Sequence, residues 1–349
     1  MTTARPHRMA VAGVLASLLL GVAACGGTAE SAESSAATTS AAATSSSSTS
    51  TAAATEDPST GTSTDSSAGS PTLETLVAEV QGDFQQLVYT DPTTGETLSY
   101  NLYLPAGYDP SQSYPLVTYI ADSSQVGDDV TTPLSQYGAL IWASDEEQAK
   151  QESIVLVPSY PETILDDHGS YTTTEYVEMT AGLIGSVTSE YSVDPDRVYG
   201  TGQSMGCMTI MILAAEHPDL FAAELFVSGQ WDVSTLGNLA GENFTYIAAA
   251  GDPNASGGQA DVEAMLDAAG VDYSAATDWD ATWSAAELDD AAAELYAAGT
   301  SINFATFAEG TVLEANGSAS GPMNSEHMAS FQPAYEIAAL RDRLLARTA

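Results

Sequence analysis

Residues 202–206 read Gly-Gln-Ser-Met-Gly, one serine between two glycines. Glycine on both flanks lets the backbone turn sharply with no side chain in the way, which leaves Ser204 at the tip of the turn. A serine hydroxyl becomes a useful nucleophile only when a base takes its proton. Four histidines could do so. His7 lies in the basic start of the chain. His217 ends the helical run that Ser204 begins, roughly 20 Å away at about 1.5 Å per residue, and its place before Pro218 suits a helix stop. His168, in Leu165-Asp-Asp-His-Gly-Ser, precedes the serine and is a second-choice base, or a substrate or loop residue. His327, in Asn324-Ser-Glu-His-Met, follows the last expected strand and is the first-choice base.

The pattern G-x-S-x-G recurs by chance, but here it falls between an expected strand and an expected helix, the setting of a nucleophile elbow. In that arrangement the acid follows the serine and precedes the histidine. Asp252 closes Tyr246-Ile-Ala-Ala-Ala-Gly-Asp at the end of an apolar run, while Asp261, Asp278 and Asp280 are fallbacks. Asp252-Pro-Asn254-Ala-Ser256-Gly257, with Glu263 twelfth, also comes near a calcium-loop pattern, although a strand rather than a helix enters it. The backbone amide of Met205, together with one from Ser123 or Ser124 after the Leu116–Ala121 run, is the expected oxyanion site. Gln203 and Trp231 are candidates for the substrate pocket, with Trp231 equally suited to the core. The chemistry requires no metal and no organic cofactor.

These residues need a scaffold. Phe84–Thr90 and Thr97–Pro105 read as strands around the turn residues Asp91-Pro-Thr-Thr-Gly-Glu, hence a hairpin. Leu116–Ala121 and Ile154–Pro158 are short continuous apolar runs suited to strands buried on both faces. Arg197–Gly202, Leu225–Ser228, Phe244–Ala250 and Ile302–Phe307 supply further strands. Helices are expected over Glu175–Tyr191, Met205–Glu216, Val262–Ala269, Ala285–Ala298 and Tyr335–Arg347. Strands alternating with helices imply an α/β fold, a mainly parallel sheet with helices on both faces and an antiparallel hairpin at one edge.

Ahead of that domain, residues 1–24 combine Arg5, His7 and Arg8 with an apolar run too short for a comfortable membrane span, the shape of an export signal. Val22-Ala-Ala-Cys25 resembles a bacterial lipoprotein box, in which Cys25 is acylated. Residues 25–72 are mostly Ser, Thr, Ala and Gly, a composition that cannot offset its chain entropy and suits a disordered tether. The catalytic domain is then expected over 73–349, in an exported, cell-envelope lipoprotein that is surface-anchored or shed. Cys207 is left with no disulfide partner. The 47 acidic residues against 7 Lys and Arg, a formal charge of −40, argue against nucleic acid or anionic lipid heads as partners. A monomer touching the membrane only through its lipid is expected.

Asp194-Pro-Asp-Arg-Val-Tyr-Gly-Thr-Gly-Gln-Ser-Met-Gly followed by His217-Pro-Asp-Leu-Phe-Ala-Ala resembles secreted bacterial α/β-hydrolases related to polyhydroxybutyrate depolymerases, feruloyl esterases and "predicted peptidases". Thr97–Pro105, Gly229-Gln-Trp-Asp and Ser325-Glu-His-Met-Ala-Ser-Phe extend the likeness. The resemblance implies an α/β-hydrolase fold and a triad of Ser204, Asp252 and His327. Two departures stand out: Cys207 replaces a glycine common after the elbow, and Asp252 follows Gly251 directly where relatives space them. The expected activity is cleavage of carboxylic esters through an acyl-enzyme. A serine peptidase with the same triad, and a catalytically silent binding lipoprotein, are the alternatives.

Overall fold

The computed structural model describes residues 70–317 and 325–349. Residues 1–24, Cys25 and the tether as far as residue 69 lie outside the described residues. The first helix, Leu73–Glu79, is capped by the Thr72 hydroxyl, which accepts the Thr75 amide. β1 (Gln85–Thr90) and β2 (Thr97–Tyr103) form the antiparallel hairpin, with the Asp91 carboxylate accepting the amides of Thr93 and Thr94 in the turn. There follow β3 (Tyr114–Ile120) and β4 (Ile154–Ser159), then a short antiparallel ribbon of β5 (Leu165–Asp166) and β6 (Thr172–Thr173). β7 (Val193–Gln203), β8 (Ala223–Val227), β9 (Phe244–Ala249), β10 (Tyr273–Trp279) and β11 (Ile302–Phe307) complete the set.

Nine of these strands form one sheet in the order β1-β2-β4-β3-β7-β8-β9-β11-β10. β2 is antiparallel to β1 and β4, and every other neighbouring pair is parallel. Every residue of β3 and β4 is buried. Their side chains alternate between two cores: Leu116, Ile120, Ile154 and Leu156 on one face, Val117, Tyr119, Val155 and Val157 on the other. That is why these strands read as unbroken apolar runs rather than alternating ones. Helices Glu175–Glu190, Met205–Glu216 and Pro253–Ala269 cover the first face, and Leu73–Glu79, Ala285–Tyr296 and Ala338–Leu345 the second. Met205 to Ala215 is buried all round, as befits a helix enclosed on every side.

The chain leaves β3 towards β4 on one side and leaves β7 towards β8 on the other. Adjacent strands whose exits diverge open a crevice at their carboxyl ends, where ligands of α/β sheets bind. The loops after β3 and β7 carry Ser123 and Ser204 to that crevice.

Several elements differ from the sequence expectation, and three of them bear on how the sheet and its helices are built. β10 has no apolar run because it is an edge strand, half of it exposed. The helix expected from Val262 begins nine residues earlier at Pro253, its start obscured by Gly257 and Gly258. Gly258 is required there, since a Cβ would come 2.6 Å from that of Gln230. The closing helix is two, Phe331–Glu336 and Ala338–Leu345, with Ile337 extended between them. The Tyr335 carbonyl freed by the break accepts from the buried Arg341 guanidinium, which also holds Glu147.

Among the described residues, both oxygens of buried Glu224 on β8 lack a partner. Burial, and then the Glu242 charge, raise its carboxyl well above the usual range. Burial, then Asp219, push Glu242 up to about 7. The folded state therefore keeps these protons to higher pH than the unfolded chain. The stability of the neutral Glu242 is present at low pH and lost as pH rises from 4.5 through about 7. That of the neutral Glu224 begins to be lost over the same rise and continues to be lost at higher pH. Thermal unfolding across that window is expected to show a falling Tm, and Glu224→Gln to make the fall shallower; an unchanged slope in the variant contradicts the assignment.

Candidate active site

The turn after β7 places Ser204 at φ 51°, ψ −118°, a backbone conformation that costs a non-glycine residue roughly 1–3 kcal/mol. Packing holds it there. The Ser204 amide donates to the Val227 carbonyl at 3.1 Å, and its carbonyl accepts from Met208 at 3.0 Å. A Cβ on Gly206 would sit 1.9 Å from the Ile120 oxygen, and one on Gly202 would sit 2.5 Å from the Gly206 carbonyl carbon. The two glycines thus let the elbow press against β3, and they make it narrow enough to lift the hydroxyl out at the sheet edge. The helix Met205–Glu216 starts immediately behind, with its free amides and positive dipole end towards Ser204.

His327 lies in the short helix Glu326–Ala329. Its Nε2 is 2.8 Å from Ser204 Oγ and its Nδ1 is 2.6 Å from Asp252 Oδ2. With the Nδ1 proton donated to the carboxylate, Nε2 is left to accept the serine proton. The ring packs edge-on to Phe331, centroids 5.1 Å apart, and the His327 carbonyl accepts from Ser330 Oγ at 2.8 Å. His168 and His217 are elsewhere: the first is an exposed residue at the rim of the cleft, the second ends its helix and pairs with Glu178 at 3.0 Å.

Asp252 is buried and caps the helix Pro253–Ala269, its Oδ1 accepting the amides of Asn254 and Ala255 at 3.2 and 3.3 Å. One oxygen serves the helix and the other serves the histidine. The calcium-loop alternative fails here, because Asn254, Ser256 and Glu263 are wound into that helix and cannot encircle an ion as a loop would. Asp261, Asp278 and Asp280 make no contact with His327; Asp261 lies along the same helix and Asp280 bonds Thr282.

Of the two serines after β3, Ser123 lines the same cleft as Ser204 and Met205, while the Ser124 amide is used by Asp122 Oδ1 at 2.8 Å. Ser124 therefore falls away as an oxyanion donor. Gln203 is also corrected: its amide nitrogen donates to Asp122 Oδ2 at 2.9 Å, on the far side of the elbow from the cleft. Asp122 in turn accepts from Gln136, which accepts from the Tyr119 hydroxyl at 2.7 Å. This buried carboxylate ties the β3 loop to the residue before the nucleophile candidate. Sequence reasoning passed over it, yet the signal was present: like Asp252, it is an aspartate immediately after a buried apolar strand.

The cleft in front of Ser204 has a volume near 750 Å³ and is walled by the β5–β6 ribbon, with Asp166, Asp167 and His168, and by Gln230 and Asn254 opposite. Gln230 donates to Asp167 Oδ2 at 2.6 Å, joining the two walls. Trp231 does not line the cleft. It is buried in the core under Tyr171, ring centroids 5.3 Å apart, and supports the ribbon from behind. Apart from His168 as a candidate substrate or loop residue, nothing in the linear order of this segment singles it out as a wall of the site.

Residues 92–303 match the model of the Esterase family, described as "Putative esterase". A 54-residue stretch is 44% identical to "Putative esterase NocK" of Nocardia uniformis subsp. tsuyamanensis, covering 16% of each chain. Among solved structures, a thermostable esterase superposes with a TM-score of 0.62 at 22% identity, over 77% of this chain and 64% of its own. A feruloyl esterase module from Clostridium thermocellum, in complex with sinapinate, gives 0.50 at 15% identity, over 75% and 87%. At these identities the likeness is one of fold, and that fold is the α/β-hydrolase.

Gly206→Ala tests the close approach at the elbow. The added methyl meets backbone, which cannot rotate away, so the expected loss is about 1–3 kcal/mol of stability, measured by urea unfolding. A folded, unperturbed variant would show that the elbow does not press on β3.

Proposed function

This chain belongs to the Esterase family, whose model spans residues 92–303, and on that premise we propose that it hydrolyses carboxylic esters through an acyl-enzyme on Ser204. The observation that carries the reading is the hydrogen-bonded series Ser204 Oγ, His327 Nε2, His327 Nδ1, Asp252 Oδ2, at 2.8 and 2.6 Å. In the mechanism, Ser204 Oγ attacks the ester carbonyl as its proton passes to His327 Nε2. Asp252 keeps the imidazole in the required orientation and stabilises its cationic form. The Met205 amide and an amide at Ser123 receive the oxyanion. Collapse expels the alcohol, which takes the proton from His327. A water then repeats the sequence on the acyl-enzyme and releases the acid.

Residues 1–24 are assigned as the export signal and Cys25 as the lipid-bearing residue, so that the enzyme works outside the cytoplasm on a Ser/Thr-rich tether. The support is compositional: a basic start, an apolar run and a small-residue box before the cysteine.

A fluorophosphonate is expected to label Ser204, and Ser204→Ala to abolish both labelling and p-nitrophenyl acetate hydrolysis. Asp252→Asn is expected to lower kcat by about 10⁴-fold, as loss of the orienting acid does in the serine-protease template. Aminoacyl-nitroanilides assayed alongside separate ester from peptide cleavage. Labelling that persists in Ser204→Ala refutes the assignment.

Charge makes a second prediction. Asp166, Asp167 and Asp252 face the cleft, and among the described residues no lysine or arginine lines it. Esters with a free carboxylate, such as mono-p-nitrophenyl succinate, are expected to react several-fold more slowly than p-nitrophenyl acetate. The gap should narrow as salt shortens the Debye length from about 10 Å at 0.1 M to about 3 Å at 1 M. A ratio indifferent to salt refutes the electrostatic origin.

A further inference from the structure

Glu326, next to the base, plays no part in the mechanism above, yet it is buried and both of its carboxylate oxygens are committed. Oε2 accepts the Gly251 amide at 3.0 Å, and Oε1 accepts the Gly310 amide at 2.7 Å. Gly251 immediately precedes Asp252, and Glu326 immediately precedes His327. The bond between Asp252 and His327, 2.6 Å long, is therefore flanked one residue upstream by a second bond between their chain neighbours. Two adjacent rungs between the same two segments restrain rotation as well as separation, which a single hydrogen bond does not. The third contact, at Gly310, fastens this pair to the loop leaving β11, where the chain turns towards the histidine. Gly251 is part of the device: a Cβ there would lie 2.1 Å from the Glu326 carboxyl carbon, so only glycine lets the carboxylate close over the backbone.

We propose that Glu326 is a positioning residue for the ester hydrolysis assigned to Ser204, holding the loop of Asp252 and the helix of His327 in register so that the imidazole stays in line with the hydroxyl. The inference rests on that assignment of function and acts entirely through the Asp252–His327 contact. A charged acceptor suits the task, because hydrogen bonds to an ionised group are shorter and stronger than neutral ones. A glutamine has a single acceptor oxygen and would turn an N–H₂ group towards one of the two amides.

The test is a double-mutant cycle between Glu326→Gln and Asp252→Asn, read by p-nitrophenyl acetate kinetics and by the rate of fluorophosphonate labelling. A misplacement near 1 Å costs on the order of 10²-fold, so Glu326→Gln alone is expected to lower kcat and the labelling rate by about 10- to 100-fold, with KM little changed. In the Asp252→Asn background the same substitution should cost less than about threefold, since non-additivity marks residues that act through one contact. Equal losses in both backgrounds, or no loss at all, overturn the proposal. Glu326→Asp, one methylene too short to reach both amides, passes through the same cycle if the glutamine variant does not fold. If neither variant folds, Glu326 is a folding residue and the proposal falls. A wild-type protein that fails to label or to hydrolyse the ester overturns the functional reading instead, so the two failures are distinct.

Discussion

The two hydrogen bonds of His327 are the contact on which the site depends. They span 123 residues to Ser204 and 75 residues to Asp252. Chain segments so far apart meet only because β7, β9 and β11 run parallel and end at one edge of the sheet. Parallel order puts the exits of all three strands on the same side, and the helices that return the chain carry the connections away from it. The site is thus a consequence of strand direction, and each of its residues sits within a few positions of a strand end or in the loops leaving one.

Strain at the elbow is held by burial around it. Ser204 takes a positive φ that it would not keep in an open loop, and Ser228, across from it at the end of β8, does the same at 49°. The Ser228 hydroxyl bonds the Ser330 hydroxyl, which in turn donates to the His327 carbonyl. Elbow, β8 exit and histidine helix are therefore linked through polar contacts under a helix buried from Met205 to Ala215. Cys207 belongs to that packing. Burial pushes its thiol well above the usual range, which leaves it an inert space-filler against Gly229.

An acidic chain with 7 lysines and arginines must satisfy its buried carboxylates by other means. Asp122, Asp252 and Glu326 are each less than a tenth exposed, and each is met by backbone or side-chain N–H groups rather than by a basic residue. Such donors neutralise the cost of burial without adding positive charge. Among the described residues, buried Glu147 and Glu224 depart from this: Glu147 pairs with the Arg341 guanidinium, and Glu224 has no partner and is held towards its neutral form by burial. The cleft keeps a negative lining, with Asp166, Asp167 and Asp252 among its residues.

Much of this was legible in the linear chain. Apolar runs without alternation mark β3, β4 and β9 because both faces of those strands are covered, and period alone reveals that. Glycines around one serine mark the elbow, since only a close backbone approach demands them, and elimination among so few histidines leads to His327. What the chain could not disclose is where side chains aim. Gln203 and Trp231 sit beside site residues in sequence yet point to a carboxylate behind the elbow and into the core. Gln203 ends β7, where successive side chains face opposite ways, and Trp231 lies in irregular backbone after β8 that no sequence period describes. β10 lacks any pattern, as an edge strand buries too little to impose one. Asp122 and Glu326 acquire their contacts only when the loop after β3 meets the end of β7, and the loops after β9 and β11 meet the helix of His327. That proximity is a property of the folded sheet, created by long-range strand pairing and encoded at no single position.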